Sequence, residues 1–173
     1  MNNHLNIVTL LLVVFMVHEF EEIIFFKWWS RKNGQILRDK YPKISARLDS
    51  MSTAGFTVAV AEEFILLCAI TFGCVFLNIY YLWLAVFMGF SLHLLIHIAQ
   101  WLFFRRYIPA IVTSFVALAY SVYVFRVITS QNIFTIPEIL LWSGVGILLT
   151  GGNLLLAHKI ASAFEKKFEI DNK

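Results

Sequence analysis

Charged side chains are scarce in this sequence, at 14% of its 173 residues, which argues against an ordinary soluble domain with about 25%. Hydrophobic residues make up 60% of the chain and aromatic residues 16%. This composition is typical of an all-α, polytopic membrane protein, and we expect a single domain over residues 1–173. The net charge is only +3, so nothing in the composition indicates binding to nucleic acid.

Cysteine is also scarce, and the two positions argue against a structural disulfide. Cys68 and Cys74 lie on one predicted helix, where their rise of about 9 Å exceeds the reach of a disulfide. We expect both to pack as ordinary apolar side chains. The N-terminus lacks the basic segment of a cleavable signal peptide, so its apolar run is predicted to be a retained transmembrane helix.

Apolar runs of about 20 residues, the length needed to cross a bilayer, dominate the rest of the chain. They predict a bundle of five transmembrane helices, at about 5–26, 54–77, 80–104, 108–128 and 136–160. Lysine and arginine are absent from the N-terminus, the 78–79 turn and the 129–135 loop, and they cluster on the opposite side of the predicted membrane. The positive-inside rule therefore predicts an outer N-terminus and a cytoplasmic C-terminus.

The segment between the first two helices, residues 30–53, is polar and basic. Pro42 favours the start of a short helix lying in the membrane surface, and a solvated loop is the alternative. Near the last helix, Thr135, Pro137 and Glu138 form a capping-box pattern that predicts a helix start. Small residues along that helix, among them Gly146, favour close contact with a neighbouring helix.

The first apolar run is interrupted by the sequence HEFEE at residues 18–22. The run before it is shorter than the roughly 20 residues that a hydrocarbon core requires, so the helix must continue through this stretch. A charged residue at the centre of such a helix costs about 2.5–3.5 kcal/mol, and such residues usually mark a functional site in the bundle interior. His18, Glu21 and Glu22 fall within an arc of about 100°, whereas Glu19 lies to one side.

Two further helices carry ionisable residues at a similar predicted depth. Counting about 1.5 Å per residue from the inner helix ends, His18 and Glu62 lie about 12 Å deep and His97 about 10 Å deep. Adjacent Glu62 and Glu63 point about 100° apart, so we expect one of them to reach the site. The residues predicted to ligate a metal are His18, Glu21, Glu22, Glu62, Glu63, His93 and His97.

These motifs resemble those of the HXXEE-domain family, a group of small bacterial membrane proteins. HEFEE matches the family signature, and the stretch from His97 to Tyr107-Ile108-Pro109 resembles its second histidine followed by a YXPG motif. The resemblance covers most of residues 10–115 and implies a location in the bacterial cytoplasmic membrane. Ala110 stands where the family has glycine. Because alanine disfavours a positive φ, this departure argues against a tight glycine turn here.

Imidazole and carboxylate ligands suit a divalent transition metal such as iron, zinc or manganese, and carboxylate-bridged sites in helix bundles hold two ions. We therefore predict a metal-dependent membrane enzyme that oxidises or hydrolyses a lipidic or small hydrophobic substrate. Glu21 and Glu22 are the predicted catalytic residues, and membrane lipids are the expected partners. Tyr107, Gln100 and Arg105 are the predicted substrate contacts.

Two other functions remain open from the sequence. Adjacent glutamates beside histidines also resemble the glutamate-type, CAAX-protease-like intramembrane hydrolases, in which a glutamate acts as base without metal. Alternatively, the buried carboxylates could relay protons in a small proton-coupled transporter. The sequence shows no evident inverted repeat, which weighs against the transporter.

Overall fold

The computed structural model describes residues 2–168, with side chains from residue 5 onward except 44 and 47, and all its regular structure is helical. This confirms the all-α fold expected from the composition. The helices in chain order are α1 Asn2–Lys40, α2 Pro42–Ser50, α3 Thr53–Leu77, α4 Tyr81–Phe104, α5 Ile111–Ser130 and α6 Ile136–Lys167.

Helices α3 to α6 are each long and apolar enough to cross a membrane, as expected for an integral membrane protein. Their outer faces carry large apolar side chains, and Phe76, Phe103 and Leu148 are 89%, 85% and 78% exposed. Water-soluble monomers rarely expose extensive apolar surface. These faces therefore suit contact with lipid tails, and the buried residues lie toward the inside of the bundle.

Helix α1 continues well beyond the predicted end of the first span near residue 26. Its buried side chains keep a helical spacing to the end, and Phe26, Trp29, Asn33 and Leu37 follow one another at intervals of three or four residues. The helix stops before Pro42, because proline disfavours the helical conformation of the preceding residue. Tyr41 accordingly has φ −139° and ψ 59°.

Between residues 30 and 53, the structure has helix rather than extended loop. Helix α2 begins at Pro42, as the sequence suggested, and packs against α1, where Lys27 Nζ donates a hydrogen bond of 3.3 Å to the carbonyl of Leu48. Ser52 then caps α3 by accepting a hydrogen bond of 2.8 Å from the Gly55 N–H. Glu165 of α6 accepts hydrogen bonds of 2.6 Å from both the Ser52 N–H and its hydroxyl, which ties α3 to the end of α6.

The long helices contact one another in a closed ring, in the order α1, α3, α6, α4, α5 and back to α1, and α3 also contacts α4. The most extensive contact is between α4 and α6, where Gly146 packs directly against the backbone carbonyl of Ala85. The predicted capping box at the start of α6 is present, with Glu138 accepting 2.8 Å hydrogen bonds from the Thr135 N–H and hydroxyl. In this packing one face of α1 lies opposite one face of α4, and the Trp83 indole N–H of α4 donates a hydrogen bond to the carbonyl of Val8 in α1.

Candidate metal centre

Helices α1 and α4 each contribute a pair of side chains to one polar group inside the bundle. His18 and Glu22 lie four residues apart on α1, and His93 and His97 lie four residues apart on α4. Residues at this spacing share a helix face. One ligand atom from each of the four residues lies within 4.8 Å of the others, and His18 and His97 are 0% and 6% exposed. The structure thus contains a His/Glu cluster, made of four of the seven residues predicted to ligate a metal.

The three imidazoles pack closely around a common point. The ring centroids of His18 lie 5.3 Å from His93 and 5.2 Å from His97, and those of His93 and His97 are 4.5 Å apart. The Nε2 atoms of His93 and His97 are separated by 3.0 Å. Two histidine nitrogens bound to one ion at about 2.0–2.1 Å lie about 2.9–3.4 Å apart. The histidine pair therefore already has the spacing of neighbouring ligands.

Several polar atoms of this group lack the partners that burial normally requires. Nε2 of His18 and Nδ1 of His97 are buried without a hydrogen bond. A buried donor or acceptor left without a partner costs about 1–3 kcal/mol. Nε2 of His97 lies 3.8 Å from a Glu22 carboxylate oxygen, too far for a hydrogen bond. A cation bound between these atoms would satisfy the free nitrogen of His18 and the Glu22 carboxylate together.

Glu21 lies outside this group of four, in a separate hydrogen-bond network. Its carboxylate accepts hydrogen bonds from the Tyr107 hydroxyl at 2.8 Å, and from the Thr113 N–H and hydroxyl at 2.7 Å each. A longer one of 3.4 Å comes from the Val112 N–H. Burial and the hydrogen bond to Glu21 raise the pKa of Tyr107 above its ordinary value, so this hydroxyl keeps its proton and acts as a donor.

Tyr107 is itself held in place at the turn between α4 and α5. Its backbone carbonyl accepts a 2.6 Å hydrogen bond from the indole N–H of Trp29, and its ring contacts Phe25 and Trp28. The three residues predicted to contact substrate therefore differ from one another in their surroundings. Tyr107 contacts α1, whereas Gln100 and Arg105 have exposed side chains near the end of α4.

The two adjacent glutamates of α3 point in different directions, as their spacing predicts. Glu62 accepts a 3.2 Å hydrogen bond from the Asn153 amide of α6. Glu63 instead interacts electrostatically with Glu19 and Glu22 of α1. Among the side chains that the structure describes, no lysine or arginine lies within ion-pair distance of these three carboxylates. Glu19, Glu22 and Glu63 therefore interact with one another without a lysine or arginine partner among the described side chains.

Two residues beside the group were not among the predicted site residues. Glu19 is only 4% exposed, so its sideways direction on α1 leads into the interface with α3 and not to lipid. Its charge was a signal in the sequence, because an acidic residue in an apolar span is costly wherever it points. Thr113, whose hydroxyl lies between Glu21 and His18, gave no comparable signal, because threonine is common in membrane helices.

A family model described as a protein of unknown function with HXXEE motif matches residues 9–124, more than half of the chain. The chain belongs to this HXXEE family. No curated protein and no solved structure matches it. The HXXEE motif is the feature that this chain shares with its family.

The structure gives the HXXEE residues two different environments. His18 and Glu22 join the histidines of α4, whereas Glu21 binds Thr113 and Tyr107 at the start of α5. The one motif on α1 therefore makes contacts to both α4 and α5. The description of the HXXEE family names no activity, so the geometry of these residues is the evidence for function.

Proposed function

We propose that this HXXEE protein is a metal-dependent membrane enzyme that hydrolyses or oxidises a lipidic or small hydrophobic substrate. The observation that carries the proposal is the group of His18, Glu22, His93 and His97, whose ligand atoms lie within 4.8 Å of one another. Three imidazoles and one carboxylate are a ligand set suited to zinc, iron or manganese. The buried and unpartnered Nε2 of His18 supports the same reading.

We further propose that α1 is a fifth membrane-spanning helix, with an outer N-terminus and a cytoplasmic C-terminus, in the cytoplasmic membrane of a bacterium. The basic residues of the 27–53 segment, Arg105, Arg106 and the end of α6 support this orientation by the positive-inside rule. The histidine and glutamate group would then lie in the inner third of the membrane. A site at that depth is reached most directly by a substrate that partitions into lipid.

In the proposed reaction, the metal and the protein side chains have separate roles. A bound ion would supply a Lewis acid that polarises an oxygen of the substrate or activates water. The chain would hold the ion through three histidines and Glu22, and the surrounding helices would restrict access of bulk water. Glu19 and Glu63, which interact electrostatically with Glu22, would be the carboxylates that accept or return a proton. The identity of the bound metal would determine whether the reaction is hydrolysis or oxidation, because zinc has no redox chemistry and iron does.

Elemental analysis of the protein purified in mild detergent tests this proposal. We expect at least one equivalent of transition metal in the wild type and most of it lost in His97→Ala. His158→Ala is the matched control, because His158 lies outside the group and bonds to the carbonyl of Leu154. Wild-type protein free of metal, and unable to take up zinc, iron or manganese, would reject the proposal. It would favour a metal-independent hydrolase with Glu22 as base.

A proton-coupled transporter is the second candidate, and the row of carboxylates favours it. Glu19, Glu22 and Glu63 interact across the α1–α3 interface without a lysine or arginine partner among the described side chains. Such groups serve as proton relays in membrane carriers. In that case, Glu63→Gln would abolish substrate-driven proton movement in proteoliposomes, and metal content would not affect transport. A metal-dependent enzyme predicts no such movement.

A further inference from the structure

We infer that Thr113 and Glu21 form a positioning pair that fixes the tautomer of His18, with the proton on Nδ1 and the free electron pair of Nε2 directed to the metal. The inference rests on the proposed function, because it assigns a role in metal binding to residues outside the ligand group. Its starting observation is that the Thr113 hydroxyl lies 3.4 Å from Nδ1 of His18 and 2.7 Å from Glu21.

The single hydroxyl proton of Thr113 decides the direction of these hydrogen bonds. It has two possible acceptors besides His18, the Glu21 carboxylate at 2.7 Å and the Ala110 carbonyl at 3.2 Å. The carboxylate is both closer and charged, and hydrogen bonds to charged acceptors are about twice as strong as neutral ones. The hydroxyl therefore donates to Glu21. Its oxygen can then only accept from His18, which places the imidazole proton on Nδ1.

Glu21 is held firmly enough to impose this direction. The N–H groups at the start of a helix have no partner within that helix, and two of those of α5, at Val112 and Thr113, donate to Glu21 of α1. Ala110 supplies no side-chain cap of its own. The positive end of the helix dipole also favours a carboxylate at this position. The Tyr107 hydroxyl adds a further donor.

The consequence lies on the other nitrogen of His18. With the proton on Nδ1, Nε2 carries a free electron pair, and this atom is buried without a hydrogen-bond partner. Histidine ligands in metal sites commonly donate their second N–H to a group outside the ligand shell. Removal of such groups typically costs about 10–100-fold in metal affinity. Thr113 and Glu21 would have that role here. This role accounts for a Glu21 that binds Thr113 and does not join Glu22 in the ligand group.

Titration of the full-length protein in detergent with Co²⁺, followed by its visible spectrum, tests the inference. We expect Thr113→Val to weaken Co²⁺ binding about 10–100-fold and to shift the d–d bands, and Thr113→Ser to restore both. Thr129→Val is the matched control, because Thr129 is a half-buried residue of α5 whose hydroxyl bonds to the backbone carbonyls of Phe125 and Arg126. Unchanged affinity and spectrum in Thr113→Val would overturn the inference while leaving the proposed metal centre intact.

A second measurement reads the tautomer in the wild type and does not require the Thr113 variants to fold. The ¹⁵N shifts of histidine-labelled, metal-free wild type should show His18 as the Nδ1–H tautomer, with its signals assigned from their loss in His18→Ala. The Nε2–H tautomer would overturn the inference. Wild-type protein that binds no Co²⁺ would instead reject the proposed function itself, and the role of Thr113 with it.

Discussion

Ala110 has a left-handed backbone conformation, which an alanine side chain disfavours. It has φ 68° and ψ 0° and is fully buried at the start of α5. Alanine at this position predicts against a tight turn with positive φ, yet the turn forms. The contacts on either side explain why, because Glu21 holds the first N–H groups of α5 and Trp29 holds the carbonyl of Tyr107.

The strain at Ala110 predicts a graded response to substitution. Ala110→Gly should change stability by less than about 1 kcal/mol, because about 1–2 kcal/mol of left-handed strain is relieved while chain entropy and a buried methyl group are lost. Ala110→Val should destabilise by about 2 kcal/mol or more, since a β-branched residue fits neither the positive φ nor the space. Unfolding in detergent compares the two. A valine variant as stable as the wild type would contradict the left-handed conformation.

At the scale of residues, the helical period made part of the site predictable. His18 with Glu22, and His93 with His97, each share a face because of their spacing, and this follows from sequence alone. The separation of Glu21 from Glu22 does not follow from it, since both lie within the same arc of α1. That separation depends on the Thr113 hydroxyl and the start of α5, which come close only after the helices have packed.

Among the helix contacts, the one between α4 and α6 depends on the absence of a side chain at particular positions. A Cβ on Gly146 would collide with the backbone carbonyl of Ala85, and one on Gly89 would collide with the Thr150 side chain. Gly144 has open space at the corresponding point. The small residues of the last helix were all candidates for close contact from sequence, and only the packed structure separates Gly146 from Gly144.

We therefore expect Gly146→Ala to destabilise the protein by about 1–3 kcal/mol relative to Gly144→Ala. Both substitutions bring the same gain in helix propensity, so the difference between them isolates the steric term. Thermal unfolding of the two variants in one detergent measures this difference. Equal melting temperatures would mean that α4 and α6 do not approach as closely as the structure has them.

The full length of helix α1 was only partly predictable from the sequence. The change from apolar to basic residues after Phe26 suggested that the helix ends at the membrane surface. However, Trp29, Asn33 and Leu37 continue its buried stripe to the break before Pro42. A search for period alone would have found this extension, because polarity marks the edge of the membrane and not the end of a helix.

For the molecule as a whole, the proposed topology can be tested independently of function. Reporter domains fused after Lys40 and after Lys167 should both lie in the cytoplasm, and one inserted after Asn132 should lie outside. This follows from the positive-inside rule and from α1 crossing the membrane as a fifth span. A periplasmic reporter after Lys40 would reverse the proposed orientation of the helices that follow and displace the histidines from the inner third of the membrane.

Bound metal should also stabilise the whole bundle, because the ligands come from α1 and α4. A ligand that binds only the folded state, present at 100 times its dissociation constant, adds about 2.7 kcal/mol. We expect the melting temperature of metal-loaded wild type to fall on chelation, whereas that of His97→Ala should be insensitive to chelator. A wild-type melting curve that chelation leaves unchanged would argue against a structural link between the ion and the fold.

The order of the helices around the ring is the feature that sequence reasoning could not supply. Equal predicted depth brought His18 and His97 to one level of the membrane, but depth does not say which helices are neighbours. Glu62 bonds to Asn153 of α6 because α3 packs against α6 on that side, and Glu63 consequently lies on the side of α1. Such choices depend on side-chain packing along whole helices.

X-ray absorption at the zinc edge of zinc-loaded protein tests the central claim most directly, because it counts the imidazoles around the ion. We expect three histidine nitrogens at about 2.0–2.1 Å and one carboxylate oxygen at a similar distance in the wild type. His97→Ala should show two imidazoles, and His158→Ala should retain three. A zinc shell without imidazole scattering, or one that His97→Ala leaves unchanged, would contradict a metal centre built from His18, Glu22, His93 and His97.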